Sequence, residues 1–188
     1  RLIRLINNLL LSVKVEREDF PGTTSFARVA LGEVVAQTCR FMERELKSKN
    51  VEVQVDVPAN LPSIEGNLDL LYQVFQNLIA NAIKFSAKDP RIEVVAREEN
   101  DRVAISIGDN GVGIDEKDLA KIFQKFYRAE SQAGRRPGLG IGLYLVQKLV
   151  ELHHGEIRVA SKLNEGTTFT LVFPQLKVAE SLSQSAQA

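Results

Sequence analysis

The order of apolar and polar positions divides this chain into alternating helical and extended segments. At the start, apolar residues recur every three or four positions, which predicts an amphipathic helix over residues 1–19. Its apolar stripe consists of Leu2, Leu5, Ile6, Leu9 and Val13. Pro21 and Gly22 then interrupt the pattern, so residues 20–26 are predicted to form a linker.

The segments after the linker predict a single domain over residues 27–174. Strict alternation in VEVQVDV, residues 51–57, indicates a strand with one buried face. Further strands are predicted over residues 27–31, 92–96, 103–107, 156–160 and 167–173. Helices are predicted over residues 32–49, 68–85, 116–123 and 142–153. Residues 175–188 are rich in Ser, Gln and Ala and are predicted to be a flexible tail.

The order of these elements lacks the regular strand–helix–strand repeat of a parallel sheet. Instead, two pairs of consecutive strands are predicted to form hairpins. The expected fold class is therefore α+β, a two-layer α/β sandwich in which a mixed, mostly antiparallel sheet carries its helices on one face.

Composition narrows the classes of protein that fit. The 188 residues are 44% hydrophobic, enough for a core, and 24 basic residues balance 24 acidic ones, which argues against a nucleic-acid partner. The single cysteine, Cys39, excludes an intrachain disulfide and indicates a reducing compartment. No apolar run reaches the roughly 20 residues of a transmembrane helix, so we expect a cytoplasmic location. The chain opens at Arg1 within a helical pattern, which suggests a piece of a longer protein and leaves upstream membrane attachment open.

A polar stripe runs along the otherwise apolar helix predicted over residues 68–85. Asp69, Gln73, Asn77, Asn81 and Lys84 recur at steps of four and three, which places them on one face. An amide oxygen can coordinate Mg²⁺, and a lysine ammonium can neutralise a phosphate. The stripe indicates either a ligand site or a solvated helix face.

Two glycine-rich segments carry further candidate chemistry. Asp109 ends a predicted strand and is followed by Gly111 and Gly113, which is typical of close ligand approach or of a plain turn. In PGLGIGL, three alternating glycines open a helix, where free N–H groups and the helix dipole favour an anion. Their spacing fits neither a dinucleotide fingerprint nor a P-loop. We therefore interpret PGLGIGL as a phosphate site.

The segment between the two glycine runs, KIFQKFYRAESQAGRRPG, contains aromatic residues with Arg128, Arg135 and Arg136. This composition is typical of a lid that closes over phosphates, or of a surface loop anchored by its aromatics.

Five motifs in this order resemble the catalytic and ATP-binding domain of sensor histidine kinases, in the GHKL ATPase superfamily. They are NLIANAIKFS, DNGVGI, IFQKFYR, GLGIGL and GTTF, which correspond to the N box, first glycine box, F box, second glycine box and final threonine-bearing strand. The opening RLIRLINNLLLSVKVE resembles the end of the second helix of the family's dimerisation and phosphoacceptor hairpin. The resemblance implies the histidine kinase ATPase fold, with ATP and Mg²⁺ as cofactors.

The resemblance also implies roles for single residues. Asn81 would hold Mg²⁺, Lys84 would contact a phosphate, and Arg128 would reach the γ-phosphate from a lid. Asp109 would recognise the adenine amine. The other residues assigned to the nucleotide site are Asn77, Phe85, Gly111, Gly113, Ile114, Phe126, Gly138, Leu139, Gly140, Ile141, Gly142, Leu143 and Thr167. Asn77, Lys84 and Arg128 are assigned to catalysis.

Asn77 stands where hydrolysing relatives in the wider superfamily tend to carry a glutamate that acts as general base. An amide cannot accept that proton, so we expect slow ATP hydrolysis and transfer of the phosphoryl group to another acceptor. The resemblance implies that the acceptor is a histidine on the preceding hairpin helix, upstream of Arg1. The chain alone should therefore not autophosphorylate.

The partners implied are this hairpin, a response regulator and a second copy of the full-length protein, with no nucleic acid. The alternatives are a nucleotide-binding regulatory module without kinase activity and a protein-serine kinase of the same superfamily.

The two histidines of the chain, His153 and His154, are adjacent and close the helix that the second glycine box opens. A helix of this length places them about 17 Å from the phosphate site at about 1.5 Å per residue. We therefore expect a structural role for the pair, with Gly155 as a left-handed cap.

Overall fold

The computed structural model describes residues 2–17, 25–129 and 138–177. Its helices are α1 (Leu2–Glu16), α2 (Leu31–Phe41), α3 (Glu43–Ser48), α4 (Leu68–Phe85), α5 (Glu116–Leu119) and α6 (Gly142–Leu152). Its strands are β1 (Ala27–Val29), β2 (Glu52–Asp56), β3 (Ile64–Gly66), β4 (Arg91–Glu99), β5 (Arg102–Asp109), β6 (Glu156–Lys162) and β7 (Gly166–Pro174). Most of the expected linker and residues 178–188 of the expected tail lie outside the described residues.

The main sheet has five strands in the order β2-β4-β5-β7-β6. β2 pairs with β4 in parallel, and the other neighbours are antiparallel. β1 and β3 form a separate antiparallel pair. The α+β prediction is confirmed, including both hairpins.

Helix α4 lies at the centre of the helical layer, in contact with α2 and α6. The Asn67 side chain begins α4 by accepting a hydrogen bond from Leu70 N, a cap that typically contributes about 1 kcal/mol. The buried stripe of α4 includes Leu71, Val74 and Phe75, all fully inaccessible to solvent. This packing fixes which face of α4 remains for its polar residues.

Several elements differ from the sequence prediction. The helix expected over residues 32–49 is split at Met42, whose φ of −93° and ψ of 4° end α2 before α3 begins. The helix expected over residues 116–123 ends at Leu119 and continues as turns. β3 was not predicted, because its three residues, which follow Pro62 and Ser63, are too few to show a period. The expected tail begins in contact with the domain, since Leu176 N donates to Ser63 O at 2.7 Å.

Helix α1 contacts α6, and its buried or partly buried side chains are Asn8, Leu11, Ser12 and Val15. Asn8 and Ser12 are buried, and Ser12 Oγ is satisfied by Leu9 O at 2.8 Å. Leu9 and Val13, from the predicted apolar stripe, remain 41% and 37% exposed. Within the described side chains, the apolar stripe of α1 therefore does not fold back onto the domain; the side chains of Leu2 and Leu5 lie outside them.

Of the two adjacent histidines, His153 has a structural role. Its Nε2 accepts a hydrogen bond from Asn67 N at 3.0 Å, and its Nδ1 lies 2.6 Å from Leu149 O. These contacts require a neutral ring with the proton on Nδ1, because a carbonyl can only accept. The expectation for Gly155 is wrong: the left-handed residue after α6 is His154, with φ 56°. His153 thus joins the end of α6 to the start of α4.

We expect the stability of the domain to fall as the pH decreases from about 7 to about 5. Burial lowers the pKa of His153, so below the ordinary histidine value of about 6.5 the unfolded chain binds a proton that the folded chain does not. Stability is therefore fully present above that value and is lost below it. Urea unfolding at several pH values checks this.

Two variants make this pH test specific. His153→Gln should show a smaller loss of stability over this pH range, whereas His154→Gln, at the exposed neighbour, should retain the wild-type loss. An equal pH dependence of His153→Gln and wild type would contradict the assignment.

Candidate active site

The polar stripe of α4 faces the loop that leads into α6. A Cβ added at Gly138 would lie 3.0 Å from Lys84 Nζ, and one added at Gly142 would lie 3.3 Å from Asn77 Oδ1. The loop therefore runs along α4 from Lys84 to Asn77, with Asn81 between them on the same face. The structure brings together the amide, the ammonium and the glycine loop that the sequence suggested.

Asp109 ends the central strand β5 close to the end of α4, since a Cβ added at Gly111 would contact both Asp109 Oδ1 and Phe85 O. The surface formed by the polar face of α4, the loop before α6 and Asp109 is called the groove. Asp109 Oδ1 accepts a hydrogen bond from Gly111 N at 2.8 Å. Burial raises the pKa of Asp109, while hydrogen bonds from the N–H groups of Gly111 and Thr167 act in the opposite direction. A carboxylate offers about four acceptor positions, so it retains capacity for a further donor such as an amine.

The first glycine box is fastened to the end of α4. Val112 N donates to the carbonyl oxygen of Phe85 at 3.1 Å. A Cβ at Gly111 would collide with that same oxygen and would lie 2.6 Å from Asp109 Oδ1, so only glycine permits this approach. Gly113 and Ile114 follow, and the Ile114 side chain packs partly buried against the core.

The second glycine loop and the F box are joined through their backbones. Phe126 N donates to Gly140 O at 3.0 Å. Gly140 has a φ of 70°, and a Cβ there would lie 2.5 Å from Tyr127 O. Ile141 is buried, whereas Leu139 is 44% exposed, so Ile141 anchors the loop. Leu143 packs partly buried against the core in the first turn of α6.

The F box presents residues of two kinds. Tyr127 OH donates to the buried Asp118 carboxylate at 2.8 Å, which ties the segment to α5. Phe126 is 58% exposed, and its φ of 65° is unusual for a non-glycine residue. Arg128 is half-buried at the end of the described segment. Arg135 and Arg136, expected in the lid, lie outside the described residues.

Helix α1 reaches this groove through Asn8. Asn8 Nδ2 donates to Asn77 Oδ1 at 3.3 Å, while Asn77 Nδ2 donates to Gln73 O at 2.8 Å. Both ends of the Asn77 amide are thereby engaged by protein groups. Sixty-nine residues separate Asn8 from Asn77, so no local sequence pattern could have predicted the pair.

At its C-terminal end, α1 contacts the F box and α6. Glu16 Oε1 accepts hydrogen bonds from Lys125 Nζ at 2.8 Å and from Tyr144 OH at 2.9 Å. These two bonds hold the pKa of Glu16 below its ordinary value. The position of α1 is thus linked to the segment that carries Phe126 and Arg128.

Thr167 and an unpredicted neighbour complete the wall beside Asp109. Thr167 is buried on β7 and is aligned with Asp109 on one side and Ser161 on the other. Ser161 Oγ accepts from Ile114 N at 2.8 Å, so it touches the first glycine box as well. Sequence reasoning missed Ser161 because SKLNEG looks like an ordinary polar hairpin turn.

A separate pocket of about 360 Å³ lies between α4 and the α2–α3 junction. It is lined by Phe41, Met42, Arg44, Glu45, Ser48 and Gln76, which include no residue assigned to the nucleotide. In the described part of the chain, no three His, Cys, Asp or Glu side chains are grouped as metal ligands. The described helices also include none with the length and apolar character needed to cross a bilayer.

The family model for histidine kinase-, DNA gyrase B- and HSP90-like ATPases matches residues 66–177, so the chain belongs to this family. That range contains all five motifs and every residue assigned to the site. The resemblance stated from the motifs is therefore confirmed.

Individual relatives agree with this assignment. Drug sensory protein A of Synechocystis is 34% identical over 179 residues, covering 90% of this chain and 26% of that protein. Sensor histidine kinase WalK of Bacillus subtilis is 31% identical over 183 residues, covering 93% of this chain and 28% of WalK. This chain thus spans about a quarter of the length of these relatives.

Among solved structures, the crystal structure of full-length ShkA in complex with AMPPNP resembles this fold with a TM-score of 0.80. The two chains are 26% identical, and the match covers 96% of this chain and 37% of ShkA. The fold therefore corresponds to the catalytic module of a histidine kinase.

Proposed function

We propose that this domain binds ATP with Mg²⁺ and transfers the γ-phosphoryl group to a histidine on the phosphoacceptor hairpin of its own full-length protein. The observation that carries the proposal is the arrangement around the end of α4. Lys84 lies beside Gly138 of the loop before α6, and Gly111, which donates to Asp109, packs against the carbonyl oxygen of Phe85. The nucleotide analogue bound by ShkA supports ATP as the ligand.

The residues of the groove fit such a ligand. The Asp109 carboxylate would accept a hydrogen bond from the adenine amine. Gly111 beside it has no side chain and would leave room for the base. Lys84 would neutralise phosphate charge near the N–H groups that open α6. Mg²⁺, when bound by Asn81 and the phosphates, would offset further negative charge during transfer. Arg128 would do the same from the F box.

Binding of the nucleotide can be tested by calorimetric titration of this chain with a non-hydrolysable ATP analogue. We expect saturable binding with one site, and weaker binding when Mg²⁺ is chelated. The absence of binding under both conditions would contradict the proposed function. Binding that ignores Mg²⁺ would contradict the assignment of the metal to Asn81.

We expect Asn77→Glu to raise the background rate of ATP hydrolysis about tenfold or more, because a carboxylate can act as a general base for water. Release of inorganic phosphate measures this rate. Asn8 would donate to the introduced carboxylate and lower its basicity, so Asn77→Glu combined with Asn8→Ala should hydrolyse ATP faster still. Asn8→Ala alone is the control, and phosphate release in Asn77→Glu that equals wild type would contradict the role.

We further propose that the full-length protein is a homodimer whose catalytic domain lies in the cytoplasm. It passes its phosphoryl group to a response regulator. The exposed apolar residues of α1 support the dimer, because they would be covered by the rest of a hairpin bundle. They are Ile6, Leu9, Leu10 and Val13. The sensor histidine kinases among the relatives support the response regulator.

A further inference from the structure

Ser161 makes three polar contacts at the edge of the groove beside Asp109. Its Oγ accepts from Ile114 N, donates to Gly166 O and lies near Thr167 Oγ1, each at 2.8 Å. Ile114 belongs to the first glycine box, and Thr167 is aligned with Asp109 across β7 and β5. One hydroxyl therefore joins both walls of the proposed adenine site.

Counting protons settles the direction of the third contact. A serine hydroxyl has one proton and two acceptor positions. Because a carbonyl oxygen only accepts, the Ser161 proton points to Gly166 O, and the Ile114 N–H takes one acceptor position. The hydrogen between Ser161 and Thr167 must then come from Thr167. This leaves the Thr167 oxygen with only lone pairs to offer to other groups.

We propose that Ser161 is a positioning residue that makes Thr167 a hydrogen-bond acceptor and thereby favours a base with an exocyclic amine. The proposal rests on the proposed function, in which Asp109 accepts from that amine. Thr167 is then also fixed as an acceptor. Together, Asp109 and Thr167 offer lone pairs to the base, either directly or through a water molecule. Adenine brings an N–H donor to this position, whereas hypoxanthine brings a carbonyl oxygen that has none.

Ser161→Ala removes this constraint, because the Thr167 hydroxyl can then rotate and donate to a carbonyl oxygen. The ratio of dissociation constants for IDP and ADP should fall by about threefold to tenfold, the range of one neutral hydrogen bond. The affinity for ADP should fall as well, since Ile114 N loses its acceptor.

Calorimetric titration of ADP and IDP into wild type and three variants tests the proposal. Ser161→Thr retains the hydroxyl and should keep the wild-type ratio. Ser106→Ala is the matched control: Ser106 Oγ also lies 2.8 Å from a threonine hydroxyl, that of Thr170. Ser106 lies on the same sheet but points away from the face that buries Ile105 and Ile107, so its removal should leave the ratio unchanged.

A Ser161→Ala protein with lower stability and an unchanged IDP/ADP ratio would overturn the proposal, as would an equal change in Ser106→Ala. If Ser161→Ala does not fold, Thr167→Val tests the same claim, because valine keeps the shape and lacks the acceptor. Its ratio should also fall, and a wild-type ratio would overturn the proposal. If wild type binds neither nucleotide, the proposed function itself fails.

Discussion

Replacing Asp109 by asparagine is expected to weaken ADP binding about a hundredfold, or about 3 kcal/mol, without destabilising the domain. The asparagine oxygen can still accept from Gly111 N, so the turn after β5 is retained. Its amide NH₂, however, places donors near the adenine amine, where two donors face each other and neither is satisfied. The loss therefore exceeds that of a simple deleted hydrogen bond.

The free energy of unfolding of Asp109→Asn, in contrast, should not fall. Burial raises the pKa of Asp109, which means that the fold disfavours its charged form. A neutral asparagine removes this cost, so the free energy of unfolding at neutral pH should stay equal or rise. Weaker nucleotide binding combined with undiminished stability is characteristic of a binding residue.

Asp101→Asn is the matched control, because Asp101 lies directly before β5, at the opposite end from Asp109. Its φ of 59° is one that asparagine tolerates well, so the change removes charge without strain. Calorimetric titration with ADP should give wild-type affinity for this variant. Near-equal affinities of Asp109→Asn and Asp101→Asn would contradict the adenine assignment.

The second large effect is expected at Gly140. A left-handed backbone costs a non-glycine residue about 1–2 kcal/mol, and the Cβ of Gly140→Ala would press against Tyr127 O. Relief requires the F box to move, which breaks the bond from Phe126 N to Gly140 O. We therefore expect lower stability together with at least tenfold weaker binding of an ATP analogue.

Gly138→Ala gives the comparison within the same loop. Among the described residues, its added Cβ would contact the far end of the flexible Lys84 side chain and no backbone atom. This variant should unfold at nearly the wild-type urea concentration and lose affinity only through Lys84. Equal destabilisation by the two substitutions would contradict the role of Gly140 as the conformational link between loop and F box.

The sequence was most informative where a regular period is long. The predicted and observed bounds of helix α4 agree, since its 18 residues keep one apolar face. Strands β4 and β5 were predicted too short, because most of their terminal residues are polar and resemble a turn. The motifs also assigned Lys84 and Gly138 to the same nucleotide site, and the structure places them close together.

Contacts between distant segments could not be predicted in this way. The burial of Asn8 and Ser12, and the hydrogen bond from Lys125 to Glu16, depend on how α1 lies on the folded domain. Taken alone, the polar side of α1 is indistinguishable from a solvated face. Ser161 was missed for a related reason: its importance comes from three partners that only the folded sheet brings together.

Transfer of a labelled phosphoryl group tests the central claim most directly. This chain would be mixed with a separately prepared helical hairpin that carries the acceptor histidine, together with γ-labelled ATP and Mg²⁺. We predict label on the hairpin that is labile in acid and stable in base, and none on this chain alone. Acid-stable label would indicate a serine kinase, nucleotide binding without transfer would indicate a regulatory module, and either result would contradict the account.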